Sequence, residues 1–87
     1  MYVIVNHSIS NPAEFWGALR AAGAPPQGTK VHHMLPSADG ASAVCLWEAD
    51  SVDTVRGLVM ATVGASSTNT FFEVDSSNAM GLPKQAS

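Results

Sequence analysis

Side chains able to do acid–base, nucleophilic or metal chemistry are few in this chain. Two of the three histidines and the single cysteine fall in the stretch 30–49, KVHHMLPSADGASAVCLWEA. His32, His33, Cys45 and Glu48 lie there with Trp47, while His7 stands upstream and Glu73 downstream. Histidine with carboxylate suits nickel or zinc, and a glutamate near a histidine can move a proton. Two constellations follow. His33 and Glu48 form the candidate catalytic pair, with a desolvated glutamate as general base. His7, His33 and Glu73 are the candidate ligands of a divalent metal, and no other cofactor is expected.

Plainer readings stand beside each. His32 and His33 are adjacent, so on a strand they point to opposite faces and cannot chelate together. Cys45 has no basic residue within local reach to lower its pKa, which argues against a nucleophile. Trp47 reads as packing. Glu48 with Asp50 can simply start a helix, and Glu73 with Asp75 can end a strand. The chain holds no nucleophile–base–orienter spacing, phosphate loop or dinucleotide fingerprint.

The elements that must position these groups are legible in order. Residues 2–7, rich in Tyr, Val and Ile, read as a strand that ends in turn-formers. Asn11 is a good N-cap, Pro12 fits the first helical turn, and Glu14 suits the positive end of the helix dipole. Phe15, Leu19 and Ala22 follow at helical spacing until Gly23. Pro25 and Pro26 make 24–28 a linker that cannot continue a helix. A hairpin turning at Asp39-Gly40 then pairs Leu35 with Val44, Met34 with Cys45, His33 with Leu46 and His32 with Trp47. Asp50 or Ser51 caps a second helix with Val52, Val55, Val59 and Val63 on one side, closed by Gly64. Residues 65–68 read as a loop and 69–75 as the last strand.

This order, β-α-β-β-α-β, is the α+β ferredoxin-like arrangement over 1–75, with 76–87 as a tail whose apolar 79–83 can pack on the domain or a partner. Right-handed crossovers give an antiparallel sheet in the order 4-1-3-2 with both helices on one face. The other face is then bare, and two such faces packed together make a dimeric α/β barrel. Strand alternation sorts the side chains into two sets. Tyr2, Ile4, Asn6, His32, Met34, Ala43, Cys45, Trp47, Phe72 and Val74 are assigned to the helices. Val3, Val5, His7, Val31, His33, Leu35, Val44, Leu46, Glu48, Phe71 and Glu73 are assigned to the barrel. Within one protomer Glu48 and Glu73 then stand roughly 10 Å apart, and His33 roughly 12 Å from His7, so a metal needs the partner or the tail.

The pattern CLWEADSVDTVRGLV, then a short loop and FFEVD, resembles small dimeric ferredoxin-like proteins of the DUF4242 or nickel-binding-protein-like group. These belong to the dimeric α/β-barrel superfamily, beside antibiotic-biosynthesis monooxygenase and EthD-like proteins. The resemblance covers residues 30–75 and rests on hydrophobic spacing with Cys45, Glu48 and Glu73. It implies a homodimer more strongly than any activity.

Composition narrows the partners. Charged residues make up 13% of the 87 residues and AVILMFWYC 46%. That charged share is about half of the usual roughly 25%, which favours hiding surface against a second copy. Arg20, Lys30, Arg56 and Lys84 form no basic stripe and the net charge is −3, so nucleic acid is not expected. MYVIVNHS lacks the pattern of a signal peptide, and no apolar run suits a membrane span. The single cysteine fits a reducing compartment, so a cytoplasmic location is expected. The functional expectation is a homodimer that binds a small apolar molecule in its barrel. The alternatives are a metal-binding protein and a cofactor-free monooxygenase or isomerase.

Overall fold

The structure, a computed structural model, describes residues 1–83. The chain runs β1 (Tyr2–Ile9), α1 (Pro12–Ala22), β2 (Lys30–Pro36), β3 (Ser42–Glu48), α2 (Val52–Val63) and β4 (Ser67–Glu73). The strands form one sheet in the order β2-β3-β1-β4, with each neighbouring pair antiparallel. This is the expected 4-1-3-2 order read from the other edge, and the fold is α+β and ferredoxin-like.

Local chemistry starts and stops the helices. Asn11 Oδ1 accepts from the Glu14 backbone N–H at 3.2 Å, satisfying one of the donors that a helix start leaves free. Ser51 Oγ does the same for Thr54 N–H at 3.1 Å, so Ser51 caps α2. α1 ends where Gly23 takes φ 67°, a conformation that favours glycine.

Three local features depart from the sequence reading. The β2–β3 connection spans 37–41 instead of a two-residue turn. Ser37 O accepts from Gly40 N–H at 3.1 Å, and Gly40 sits at φ 77°. β4 begins at Ser67, inside the expected loop, because Ser66 and Ser67 are buried and Ser67 Oγ donates to Val63 O at 2.7 Å. The third is a register shift in β2. Leu35, Met34 and His33 oppose Val44, Cys45 and Leu46 as expected, but Val31 and not His32 opposes Trp47. His32 is the extra residue of a β-bulge.

The assignment of faces is corrected for β1 and β4. Val3 pairs with Trp47, Val5 with Cys45 and Phe71, and His7 with Ala43 and Asn69. Directly opposed residues share a face. Val3, Val5 and His7 therefore lie with Cys45 and Trp47 against the helices. Val3, Val5, Ile9, Ala43, Cys45 and Trp47 form one buried cluster with Phe15, Val55, Val59 and Val63. Val31 and Phe71, both expected in the barrel, pack against that cluster too. Alternation holds along β1 and β4, but nothing local fixes which parity of β1 meets which parity of β3.

The open face is consequently different in composition. Across it run two rows, Phe72–Ile4–Leu46–His33 and Thr70–Asn6–Val44–Leu35. Leu35, Phe72 and Val44 are 61%, 52% and 37% exposed. After β4 the chain turns at Asp75–Asn78 and comes back to the sheet, where Pro83 O accepts from the Tyr2 hydroxyl at 3.2 Å.

Candidate functional site

A cleft of about 280 Å³ lies between the sheet and the helices. His7, Val31, Met34, Cys45 and Trp47 line it from the strands, and Leu58, Val59, Thr62 and Val63 from α2. Leu19 and Ala22 close it from the end of α1, with residues 23–26 alongside. Because Gly23 stops the helix and Pro25–Pro26 bar its continuation, no helix extends over this corner of the sheet. None of the lining residues is Asp, Glu, Lys or Arg. The cleft is apolar except for a small group of atoms contributed by the strands.

Those atoms form a relay. His7 Nε2 lies 3.0 Å from Cys45 Sγ, and Cys45 Sγ lies 3.1 Å from Met34 Sδ. On the other side of the imidazole, Nδ1 is 2.5 Å from Asn69 Oδ1. Asn69's orientation follows from its amide nitrogen, which faces two acceptors, Ser67 O at 3.5 Å and Met60 Sδ at 3.6 Å. Oδ1 therefore accepts from His7 Nδ1–H, with Ser67 Oγ, whose proton lies toward Val63 O at 2.7 Å, 3.0 Å away. That fixes the tautomer and leaves the Nε2 lone pair toward Cys45. The Phe15 ring meets the imidazole edge-on, centroids 5.1 Å apart.

Burial sets the protonation of the pair. Desolvation lowers the His7 pKa from 6.5, against a smaller opposing effect of the Asn69 hydrogen bond. Burial pushes the Cys45 thiol up from 9.0 to about 12. Both groups are neutral at pH 7, and the one thiol proton lies between two acceptors, His7 Nε2 and Met34 Sδ. Beside them Trp47 carries a different imbalance, since its indole Nε1 is buried with no hydrogen-bond partner.

A second polar cluster sits at one end of the open face. His32 Nε2 is 2.8 Å from Glu48 Oε1, and the Tyr2 ring stands 5.7 Å from that of His32. The bulge turns His32 toward Glu48, its neighbour across β2 and β3. Tyr2 is 4% exposed, so this end of the face is covered.

The expected site residues are distributed over these places. Glu48 lies on the open face, but its partner is His32; His33, also on that face, is exposed and faces Leu46. His7 is buried on the helix side, 4% exposed, and Glu73 is exposed at the end of β4. The structure does not bring His7, His33 and Glu73 together. Among the described residues no three of His, Cys, Asp and Glu are grouped to hold a metal ion. The contacts that sequence reasoning missed are those of His7 with Cys45 and Asn69, whereas Met34 stands opposite Cys45 as the hairpin predicts. The signal available for the missed contacts was that His7, Cys45 and Asn69 all lie in strands that neighbour one another in the expected sheet order.

Among the described residues, no helix is long and apolar enough to cross a membrane. The chain matches no protein-family model, and comparison with curated proteins and with solved structures likewise gives no match.

Proposed function

We propose that the protein binds a small, largely apolar molecule in the cleft between sheet and helices, and that it does so as a homodimer joined through the open sheet face. The observation that carries the first half is the cleft itself, uncharged along its whole lining and floored by a neutral histidine–thiol pair. A charged ligand would lose its hydration there without a counter-charge, whereas an apolar one gains from leaving water. Trp47 adds one polar requirement. A buried donor without a partner costs about 1–3 kcal/mol, so a ligand with a single acceptor able to reach the indole N–H is favoured over a pure hydrocarbon. The barrel is thereby replaced as the proposed ligand site.

The open face supports the second half. Leu35, Val44 and Phe72 leave apolar surface in water, and the share of charged residues is low. The chain's own segment near Pro83 reaches the end of the face where Tyr2 lies, which leaves the surface around Leu35, Val44 and Phe72 for a second copy.

Titration of the purified protein with neutral one- and two-ring aromatics, such as indole and 1-naphthol, tests the ligand reading. Saturable binding by calorimetry or equilibrium dialysis, lost on filling the cleft by Leu58→Trp or Thr62→Phe, is the expected result. Retained binding in both folded variants, or no saturable binding across the panel, overturns it.

A further inference from the structure

The His7–Cys45–Met34 group has one proton too few. His7 Nε2, Cys45 Sγ and Met34 Sδ each present lone pairs, and His7 gives its only N–H to Asn69. The single thiol proton can serve one neighbour, and imidazole nitrogen is a far better acceptor than a thioether. Met34 Sδ, 3.1 Å from Cys45 Sγ, competes with His7 Nε2 for that one hydrogen. Cys45 Sγ on β3 thus has an electron-rich neighbour from each flanking strand, His7 Nε2 on β1 and Met34 Sδ on β2, in a desolvated place. A soft cation would satisfy these donors together.

We propose that His7 Nε2, Cys45 Sγ and Met34 Sδ form a binding site for copper(I). Thiolate and thioether are soft ligands that select this ion, and imidazole accepts it. Charge decides against the divalent metals. Copper(I) displaces the Cys45 proton, a Cu–S bond replaces the S–H bond, and no electron is transferred. Thiolate and Cu⁺ cancel, so the loaded site is neutral in a cleft that contains no charged side chain. Zn²⁺ or Ni²⁺ on the same three donors would leave a positive charge in apolar surroundings with no carboxylate to offset it.

The surroundings are those of a ligating histidine. A metal-bound imidazole characteristically donates its remote N–H to an oxygen that fixes the ring, and Asn69 Oδ1 holds that position. Taking metal bonds of about 2.0 Å to nitrogen and 2.3 Å to sulfur, the two contacts at Cys45 Sγ, 3.0 and 3.1 Å, must each open by less than about 1 Å. Met34, unbranched and on the edge strand β2, is the side chain suited to give way. The ion would sit at the cleft floor, and the site stands whether or not an apolar molecule also enters.

The test uses untagged, reduced protein under anaerobic conditions, titrated with copper(I) held by the chromophoric chelator bicinchoninate. One equivalent per chain is expected to transfer, with release of one proton. X-ray absorption of the loaded protein should show one nitrogen and two sulfur ligands. Met34→Leu, which retains shape, should weaken binding about 100-fold and remove one sulfur from the spectrum, and Asn69→Ala should weaken it about 10-fold. Cys45→Ser should abolish transfer. His33→Ala and Glu73→Gln should bind as the parent does. No transfer to the parent protein, unaltered affinity in folded Met34→Leu, or a coordination shell without two sulfurs overturns the site. If Cys45→Ser does not fold, the Met34→Leu spectrum alone decides. Transfer with failure of the aromatic titration leaves the copper site standing and removes only the apolar-ligand reading.

Discussion

His7 and Cys45 are separated by 38 positions in the chain, yet Nε2 and Sγ stand 3.0 Å apart. The register of β1 on β3 does this. Val5 opposes Cys45, and His7 is the next residue of β1 on the same face. The contact is built by strand pairing, with Asn69 on the opposite neighbour of β1 holding the ring from behind.

The thiol in that contact should be slow to react. A group held near pH 12 has a very small thiolate fraction at pH 7, and Cys45 is 1% exposed. In the metal-free protein, alkylation by iodoacetamide should run orders of magnitude slower than for a free cysteine and accelerate with denaturant. Mass spectrometry of a time course reads this directly. Labelling at the rate of a solvent-exposed thiol would contradict the burial described.

Acid should weaken the metal-free fold before the carboxylates begin to protonate. Burial lowers the His7 pKa below 6.5, and its direct neighbours Asn69, Cys45 and Phe15 supply no negative charge. Below pH 6.5 the unfolded chain takes up a proton that the folded chain refuses. Stability is therefore lost as pH falls through 6.5 toward the lower folded value, where the loss levels off. Denaturant unfolding between pH 7.5 and 5 should show this slope, and His7→Gln should flatten it. An equal slope in both proteins would assign the effect to other groups.

Gly64 should not tolerate a side chain. A Cβ there would come 2.4 Å from the Met60 carbonyl oxygen, which already accepts from Gly64 N–H at 3.1 Å. The clash is with backbone, so relief means moving the end of α2. Gly64→Ala should cost about 1–3 kcal/mol, measured by thermal or urea unfolding. Gly57→Ala, with nothing within 4 Å of its Cβ position and a helical setting, is the control and should be neutral or stabilising.

The open face should hold two chains together. Sedimentation or light scattering should give about twice the 9.0 kDa of one chain. Phe72→Asp and Leu35→Asp place charge on exposed sites of that face and should shift the mass to the monomer with the fold retained. A monomer in the parent protein, or dimers that ignore both substitutions, would remove the proposed interface.

Much of the fold was legible because its signals are local. Asn11, Ser51, Gly23 and Gly64 mark helix ends by chemistry that acts within a turn, and the hairpin pairs nearest its turn followed from the strands they join. The candidate site was not legible, for two physical reasons. Side-chain parity along β1 is obvious, but whether Val3 or Ile4 meets the helices depends on long-range pairing with β3. His7, assigned to a barrel, is in the core for that reason. In β2 the bulge at His32 breaks the alternation that sequence reading assumes, so Val31 joins Met34 on the helix side and His32 turns to Glu48. Both errors separated residues that the structure joins.

The bulge has a consequence for assembly. β2 is an outer strand of the sheet, with backbone groups facing away from β3 that another chain's strand could pair with. An extra residue at His32 bends and twists that edge, and Pro36 at its far end offers no N–H. Growth of the sheet sideways into a continuous stack is thereby obstructed along β2. The proposed pairing through the flat of the sheet, by contrast, would close after two copies.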